Sequence, residues 1–486
     1  MRSKISLSNL FVFLLFSALF YLTLRPIIDP DFWWHLRTGQ LIIESGAIPR
    51  VDPFSFTMQG QAWTTHEWLS ELLFYQVYKI GGFELLTVLF SLLITGAYAL
   101  AYLRSPKPAR PYVAGFVTLL AAVASGPVWG VRPQMLTLLF FSLFLFLLDR
   151  YRASGNFRLL IPLPFLMILW VNLHAGYILG LVLILVYLLG WAIELGYDRI
   201  RHNDAENQPS KDKALKNLAF AFLATSAAIA LNPSGFKMFV YPFQTLFDPA
   251  MQAYIQEWMT PNFHETMWFP LAALILSLIG IGMLGGKRLN LIQITLTLGF
   301  GFAALQSARH VPLFAIVVIP IMAEQLGNLI KFKPSERPVR GPMQILNGLL
   351  IAIVIALLIF ALLQLPAQQR KGIADNYPVA AVDWISRENP PGRMFNSYSW
   401  GGYLIWRLYP TDPVYIDGRA DVYGSKFFSD YVKIASAQRG WERALNQQQI
   451  GFVLIEPDSN LAESLRQSPA WKVSFEDAKA VIFTRN

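Results

Sequence analysis

Apolar runs of membrane-spanning length recur along most of the chain, separated by short polar connections. They predict helices at 8–28, 83–103, 112–130, 133–149, 158–173, 176–196, 214–231, 267–285, 290–306, 309–330 and 344–365. That makes about eleven transmembrane helices, with a single re-entrant hairpin as the alternative for the pair 158–173 and 176–196. The polar interval 29–82 breaks the rhythm. It is far longer than a usual helix connection, and such loops are commonly functional. Within it, Phe32–Glu44 carries Trp34, Leu41 and Ile42 beside Arg37, Gln40 and Glu44, the pattern of a surface-lying amphipathic helix. Trp68–Lys79 reads as a further helix that leads into the second span. From about residue 366 the long apolar runs stop. Helical patterns (PVAAVDWISREN, SWGGYLIWRLY, SKFFSDYVKIASA, NLAESLRQS) alternate there with strand patterns (RMFNSY, PVYIDGRAD, GFVLIE, WKVSFE, AVIFTR). The expected fold class is therefore mainly α, a polytopic membrane protein over residues 1–365 with a long outer loop 29–82. A soluble α/β domain is expected over 366–486.

Composition agrees with this layout. Hydrophobic residues make up 54% and charged residues 15% of the 486, which is too apolar for an ordinary soluble enzyme. The chain has no cysteine, which excludes a disulfide framework, a thiolate nucleophile and a cysteine zinc site. The amino-terminal apolar run lacks a small-residue cleavage motif and stays as the first membrane helix. The net charge of +9 sorts by side. With Arg2 and Lys4 inside, alternate connections hold Arg104, Lys107 and Arg110, then Arg150, Arg152 and Arg158, and later Lys287 and Arg288, whereas the opposite connections are poor in Lys and Arg. This is the positive-inside pattern of a multi-pass protein of the inner or plasma membrane. The amino terminus is then cytoplasmic and the carboxy-terminal segment periplasmic or extracellular. The basic surplus belongs to cytoplasmic loops and calls for membrane lipids, not nucleic acid, as a partner.

The same topology places five of the six histidines, His35, His66, His174, His264 and His310, on the outer side. Asp29, Asp31, Asp52, Glu67, Arg132 and Arg309 share that side. Asp29 and Asp31 flank Pro30 where the first span ends. They stop that helix and cap the next one, or one of them serves as a general base, or both. His35 follows Asp31 at i+4, so the two lie on one helix face. Asp52 sits in the turn sequence RVDPFSF, with a local turn role and a site role both open. His66 and Glu67 precede a helix, where Glu67 also favours the positive end of the helix dipole. Arg132 in GVRPQ and Arg309-His310 in QSARHVP lie at helix ends. Arginine suits phosphate through its planar fork, and snorkelling or pairing with an acid is the alternative. His174, beside Asn172 in WVNLHAG, is a polar group near membrane depth and so a substrate-binding candidate. The carboxylate and histidine set is compatible with a divalent metal such as Mg or Mn, but no H-E-x-x-H or other fixed ligand spacing occurs. Asp417, Arg419 and Asp421 in IDGRAD fit a structural Asp–Arg turn or a docking contact.

DPDFWWHLRTGQLIIESGAIPRVDPFSFT and WTTHEWLSELLFY resemble the first outer loop of GT-C superfamily glycosyltransferases. The similarity is to bacterial members related to the dolichyl-phosphate-mannose-protein mannosyltransferase type. FNSYSWGGYLIWRLYPTDPVYIDGRADVYG resembles the outer domain that those bacterial proteins carry. The resemblance implies an enzyme that moves a sugar from a polyprenyl-phosphate-linked donor to a glycan, lipid or protein acceptor at the outer face. It implies an acidic catalytic base in the first outer loop, which Asp31 matches best. The family has an Asp-Glu pair where this chain has Asp-Pro-Asp, which leaves Asp29 as the second position for the base. Outer arginines would hold the lipid phosphate, a role that fits Arg132 or Arg309. A transporter or flippase of lipid-linked sugars would use similar buried polar groups, without needing an acid-rich loop. A non-catalytic cell-envelope assembly protein is the third class.

Overall fold

In the computed structural model, residues 6–200, 208–246, 256–285, 287–330 and 341–486 are described, and they are mainly helical. Helices occupy every stretch in which an apolar run predicts a span. Seven are long and apolar enough to cross a membrane: Trp68–Arg104, Gln134–Ser154, Ala175–Ile200, Lys211–Leu231, Thr266–Met283, Ala308–Ile330 and Pro342–Asn376. Four further apolar helical stretches, Leu7–Thr23, Tyr112–Val128, Phe157–Leu173 and Leu291–Gln306, are shorter. Within Pro342–Asn376, residues 348–363 are apolar on all sides, and only 6% of the helix's most apolar stretch is buried within the protein. A helix with that character has lipid as its natural surroundings. The chain is an integral membrane protein.

The described residues form two compact units. One gathers the chain up to Leu24 with Val88–Pro242 and Gln256–Gln364, and the other gathers Arg25–Thr87 with Leu365–Asn486. In the first unit the Tyr112–Ser125 helix lies against Val311–Ile330, which in turn packs on Leu291–Gln306. The Tyr112–Ser125 helix buries Ala114, Gly115, Ala121, Ala122, Ala124 and Ser125. Small residues let backbones approach closely where no hydrophobic drive separates helix from lipid. Gly115 marks the tightest point, because a Cβ there would lie 2.3 Å from the Phe11 ring. Thr118 and Ser125 return their hydroxyls to the carbonyls of Ala114 and Ala121, so neither brings an unpaired donor into the apolar packing.

The second unit holds a four-stranded sheet of order β1-β2-β4-β3, with β1 at Arg393–Asn396, β2 at Ile450–Ile455, β3 at Trp471–Glu476 and β4 at Val481–Arg485. β1 and β2 are parallel, and β4 is antiparallel to both β2 and β3. Phe395, Val453, Leu461, Leu465, Trp471 and Phe483 close its core.

Two expectations need correction. PVYIDGRAD forms no strand. Tyr415 N donates to Asn396 Oδ1 at 2.8 Å and Asn396 Nδ2 donates to Ile416 O at 2.8 Å, so a side-chain amide serves the backbone in place of a ladder partner. Only Val414 makes a bridge, to Ser55. Nor does the Phe32–Ser45 helix lie on a surface. Phe32, Trp33, Trp34, His35, Leu36, Thr38, Gly39 and Ile42 are buried. It packs against the Gly401–Leu408 helix and meets the start of Trp68–Arg104 at Gly39, where a Cβ would be 2.0 Å from the Glu71 carbonyl oxygen.

Candidate active site

In the second unit the chain enters the Phe32–Ser45 helix through Asp29-Pro30-Asp31. Asp29 Oδ1 accepts the Asp31 backbone N–H at 2.8 Å, a local turn that fixes the approach. Asp31 stands at the N-cap, yet its side chain makes no capping bond. Its Oδ1 instead accepts from Trp34 Nε1 at 3.2 Å and lies directly over Gly418. Both carboxylates are half-buried. Asp31 is thus a carboxylate held by an indole and a bare backbone, partly open to its surroundings.

One turn further on, the His35 ring faces two acids from the neighbouring segment. His35 Nε2 lies 3.6 Å from Glu67 Oε2 and Nδ1 lies 3.5 Å from Glu71 Oε1. Glu67 is shared, since its Oε1 takes His66 Nε2 at 2.9 Å. His66, Glu67, His35 and Glu71 therefore alternate base and acid in one connected row. Burial alone would lower the His66 pKa. The adjacent Glu67 charge and hydrogen bond, helped by Asp421 and the Thr64 carbonyl, override it and raise the pKa above the ordinary histidine value. Glu71 escaped the sequence reading although it follows Glu67 at i+4, which puts both on one helix face. Among the described residues no three His, Asp or Glu side chains are arranged to hold a metal ion.

Asp52 has a different setting. It is 1% exposed, and its two oxygens accept the backbone N–H groups of Phe54 (3.0 Å) and Ser55 (3.2 Å) and the Ser55 hydroxyl. It also forms an ion pair with Arg419 Nη1 at 2.7 Å. Arg419 is itself buried and grips Asp417 with two parallel bonds of 2.8 and 2.7 Å. Its guanidinium lies 5.0 Å from the Phe54 ring centroid and 4.7 Å from that of Trp63. Tyr423 donates to the far Asp417 oxygen at 2.6 Å. Burial would lower the Arg419 pKa, but Asp417, Tyr423 and Asp52 together raise it well above the usual guanidinium value, so the group stays charged. This arrangement clamps the 50–63 loop to the 414–420 turn.

The first unit assembles another polar group. Arg132, in the turn before Gln134–Ser154, donates through Nη1 to Glu257 Oε2, and Arg309 Nη1 lies 3.5 Å from Glu257 Oε1. Arg309 also lies over the Trp258 ring, 4.3 Å from its centroid. The segment that carries Glu257 is stitched to the Arg309 turn, since Ser307 Oγ donates to Glu257 O and Ala308 N to Met259 O, each at 3.0 Å. Burial would raise the Glu257 carboxyl, but Arg132, Arg309 and the nearby His174 hold it down at about 2. His174 Nδ1 accepts from Gly176 N at 3.0 Å and contacts Thr137 Oγ1 at 2.7 Å, while Thr137 takes Trp170 Nε1 at 2.9 Å. His310 stands edge-on to Trp258, with ring centroids 6.4 Å apart. Asn172 is used structurally, bonding the Ile168 carbonyl and Asn232.

The structure thus brings Arg132, Arg309, His310 and His174 around one acid, Glu257, which the sequence reading passed over. The available signal was an acid beside a tryptophan in a connection between two apolar runs.

No protein-family model matches the sequence, and no curated protein matches it. Among solved structures, the oligosaccharyltransferase of Archaeoglobus fulgidus, solved in complex with Zn and sulfate, is similar with a TM-score of 0.50. The identity is 12% over 91% of this chain and 68% of that one. The likeness is one of fold. ArnT from Cupriavidus metallidurans, bound to undecaprenyl phosphate, gives a TM-score of 0.48 at 12% identity over 97% of both chains. Its apo form gives 0.48 at 12% over 96% of this chain and 95% of that one. The row of acids and histidines belongs to the segment that follows the Leu7–Thr23 helix.

Proposed function

We propose that this protein is a membrane glycosyltransferase. It moves a sugar from a polyprenyl-phosphate-linked donor to a glycan, lipid or protein acceptor at the outer face of the membrane. The observation that carries the reading is Asp31, an N-cap acid spared from capping, half-exposed and held by Trp34 on a GT-C-type fold. A carboxylate in that state accepts the proton of an acceptor hydroxyl as its oxygen attacks the sugar C1. The C1–O bond to phosphate breaks, the phosphate leaves with an added negative charge, and a single displacement inverts the anomeric configuration. Asp29 turns the chain so that Asp31 is presented. His35, Glu67 and His66 support the same segment, and the Asp52–Arg419 clamp holds the turn over which Asp31 lies. In the first unit Arg132 and Arg309, with His174 and His310 beside them, form a cationic cluster suited to a lipid phosphate, a leaving group that needs cationic stabilisation more than a strong acid.

The topology that goes with this reading has eleven spans, the amino terminus cytoplasmic and the carboxy-terminal α/β domain outside. The distribution of basic residues supports it.

The test is transfer from a panel of radiolabelled polyprenyl-phosphate sugars into membrane extract, comparing wild type with Asp31→Asn. Transfer by the wild type, lost in a well-inserted mutant, is the expected result. Equal transfer by both moves the base to Asp29. No transfer from any donor, beside a working control enzyme, overturns the reading.

A further inference from the structure

β1 and β2 run parallel, with Asn396 beside Leu454, so the loops that follow them leave the same edge of the sheet. The carboxyl ends of parallel strands are where ligands of α/β sheets commonly sit. Here the two loops meet through their side chains. Ser397, one residue past β1, donates its hydroxyl at 2.8 Å to Oε1 of Glu456, one residue past β2. Ser399 Oγ lies 3.0 Å from Ser397 Oγ and donates to the same Glu456 oxygen at 3.4 Å. Both loops are fixed in place. Ser397 N donates to Leu454 O at 3.1 Å, and Ser459 Oγ donates to Glu456 O at 2.7 Å. Glu456 is half-buried, and among the described residues no Lys, Arg or His pairs with it. Its second oxygen, Oε2, takes no hydrogen bond from the described residues and is open to its surroundings.

What this corner presents decides what it can take. The serine protons point inward to the carboxylate, so Glu456 Oε2 and the exposed Ser399 Oγ face outward as acceptors. Acceptors built on a carboxylate repel phosphate and call for a ligand with two neighbouring donors. Adjacent hydroxyls of a sugar ring supply them. Between the two serines, the half-buried Tyr398 ring stands edge-on to Phe428, with centroids 5.0 Å apart. Its backbone N–H donates to the Tyr431 hydroxyl at 2.8 Å. A ring fixed in this way offers an apolar surface to the C–H face of a sugar. We propose that Ser397, Ser399, Glu456 and Tyr398 form a binding site for a neutral, hydroxyl-rich glycan at the carboxyl edge of β1 and β2. Glu456 Oε2 and Ser399 take the sugar hydroxyls, Ser397 holds the carboxylate, and Tyr398 carries the ring. The loops are ordered before the ligand arrives, which lowers the cost of binding. The proposal is independent of the transfer reaction and uses none of the residues assigned to it.

The experiment is ligand-observed NMR on the purified full-length protein, in micelles of a detergent without a sugar headgroup. The probes are neutral trisaccharides of glucose, mannose, galactose and N-acetylglucosamine, which carry no phosphate, so no transfer is followed. At least one should bind at millimolar concentration. Glu456→Gln keeps an oxygen for the serines and turns the outward acceptor into a donor. It should weaken binding about tenfold or more, the scale of one hydrogen bond to a charged group. Ser399→Arg, at an exposed position, sets a cation against Glu456 and should abolish binding. Asp31→Asn should bind as wild type does. No binding by any trisaccharide overturns the proposal, and so does binding that survives both Glu456→Gln and Ser399→Arg. If Glu456→Gln does not fold, Ser399→Arg decides alone. Loss in Asp31→Asn with survival in Ser399→Arg would put the sugar at the segment proposed for transfer and overturn the proposal. Binding of methylammonium in place of any sugar, lost in Ser399→Arg, would make the corner an amine site and overturn it equally.

Discussion

Adding one methyl group at Gly418 should disable Asp31 without touching it. A Cβ at Gly418 would lie 1.7 Å from Asp31 Oδ1, against the 3.0 Å below which real Cβ contacts essentially do not occur, and 3.4 Å from Trp34 Nε1. Something must yield by about 1.3 Å. The backbone is the firmer side. Asp417 and Arg419, on either side of Gly418, are fully buried and paired, and the Gly418 carbonyl accepts the Ala420 N–H at 2.9 Å. Asp31 is half-exposed at the end of a rotatable side chain, so its carboxylate moves and its bond from Trp34 is lost. Losing one such hydrogen bond costs about 1–2 kcal/mol of stability. Misplacing a reacting group by about an ångström costs roughly 10²-fold in rate, or about 2.7 kcal/mol in the barrier. The expected signature of Gly418→Ala is therefore a transfer rate down about a hundredfold with a small change in Tm. Initial-rate transfer assays and thermal unfolding of the purified protein read the two quantities separately. A wild-type rate in a folded Gly418→Ala protein would refute the placement of Asp31 as the reactive group. A large fall in Tm would show that the backbone gave way instead.

The buried clamp makes a sharper stability prediction. Arg419→Met strands two carboxylates that are 0–1% exposed, at a cost of about 3–5 kcal/mol, whereas Asp52→Asn leaves a neutral Arg419–Asp417 pair and costs about 1 kcal/mol. Thermal unfolding that ranked the two variants in the opposite order would contradict the clamp. His66 gives a pH dependence with a fixed sign. Its raised pKa means that its contribution to stability is complete below the unfolded value of about 6.5 and is lost as pH rises through the folded value. The Tm gap between wild type and His66→Gln should therefore be larger at pH 6 than at pH 9, and a gap that widens with pH would be inconsistent with the His66–Glu67 pair.

What the sequence revealed depended on how local the cause was. The helices of the apolar runs were legible because each run needs only its own residues to be a helix. β2 and the β3–β4 pair were legible for the same reason, as alternating patterns bounded by turns. PVYIDG misled because its alternation is real, while the partner that serves its backbone is a single side chain, Asn396, about twenty residues earlier. The Phe32–Ser45 helix misled because Arg37, Gln40 and Glu44 look like a wet face, and nothing in the pattern announces that Gly39 admits another backbone. At the candidate site, the sequence collected Asp31, His35, His66 and Glu67 in one loop and the outer arginines in others. It did not show that Asp52 is consumed by Arg419, or that one acid, Glu257, joins both arginines. Those are long-range pairings between distant segments, and no periodicity encodes them.

The Asp52–Arg419 pair also sets an order of events during synthesis. About 370 residues separate the two, so at roughly 5–20 residues per second the ribosome reaches Arg419 some 20–70 s after Asp52. Throughout that interval the 50–63 loop lacks the cation that makes its burial tolerable. The second unit also lacks everything from Leu365 onward, and so cannot close. The segment proposed to be reactive is therefore the early-made part that matures last. A chain that stops between residues 377 and 417 would carry its apolar helices and every candidate catalytic acid and yet leave Asp31 without the Gly418 turn beneath it. Completion of the carboxy-terminal segment acts as a checkpoint on the site, built into the sequence order of the chain itself.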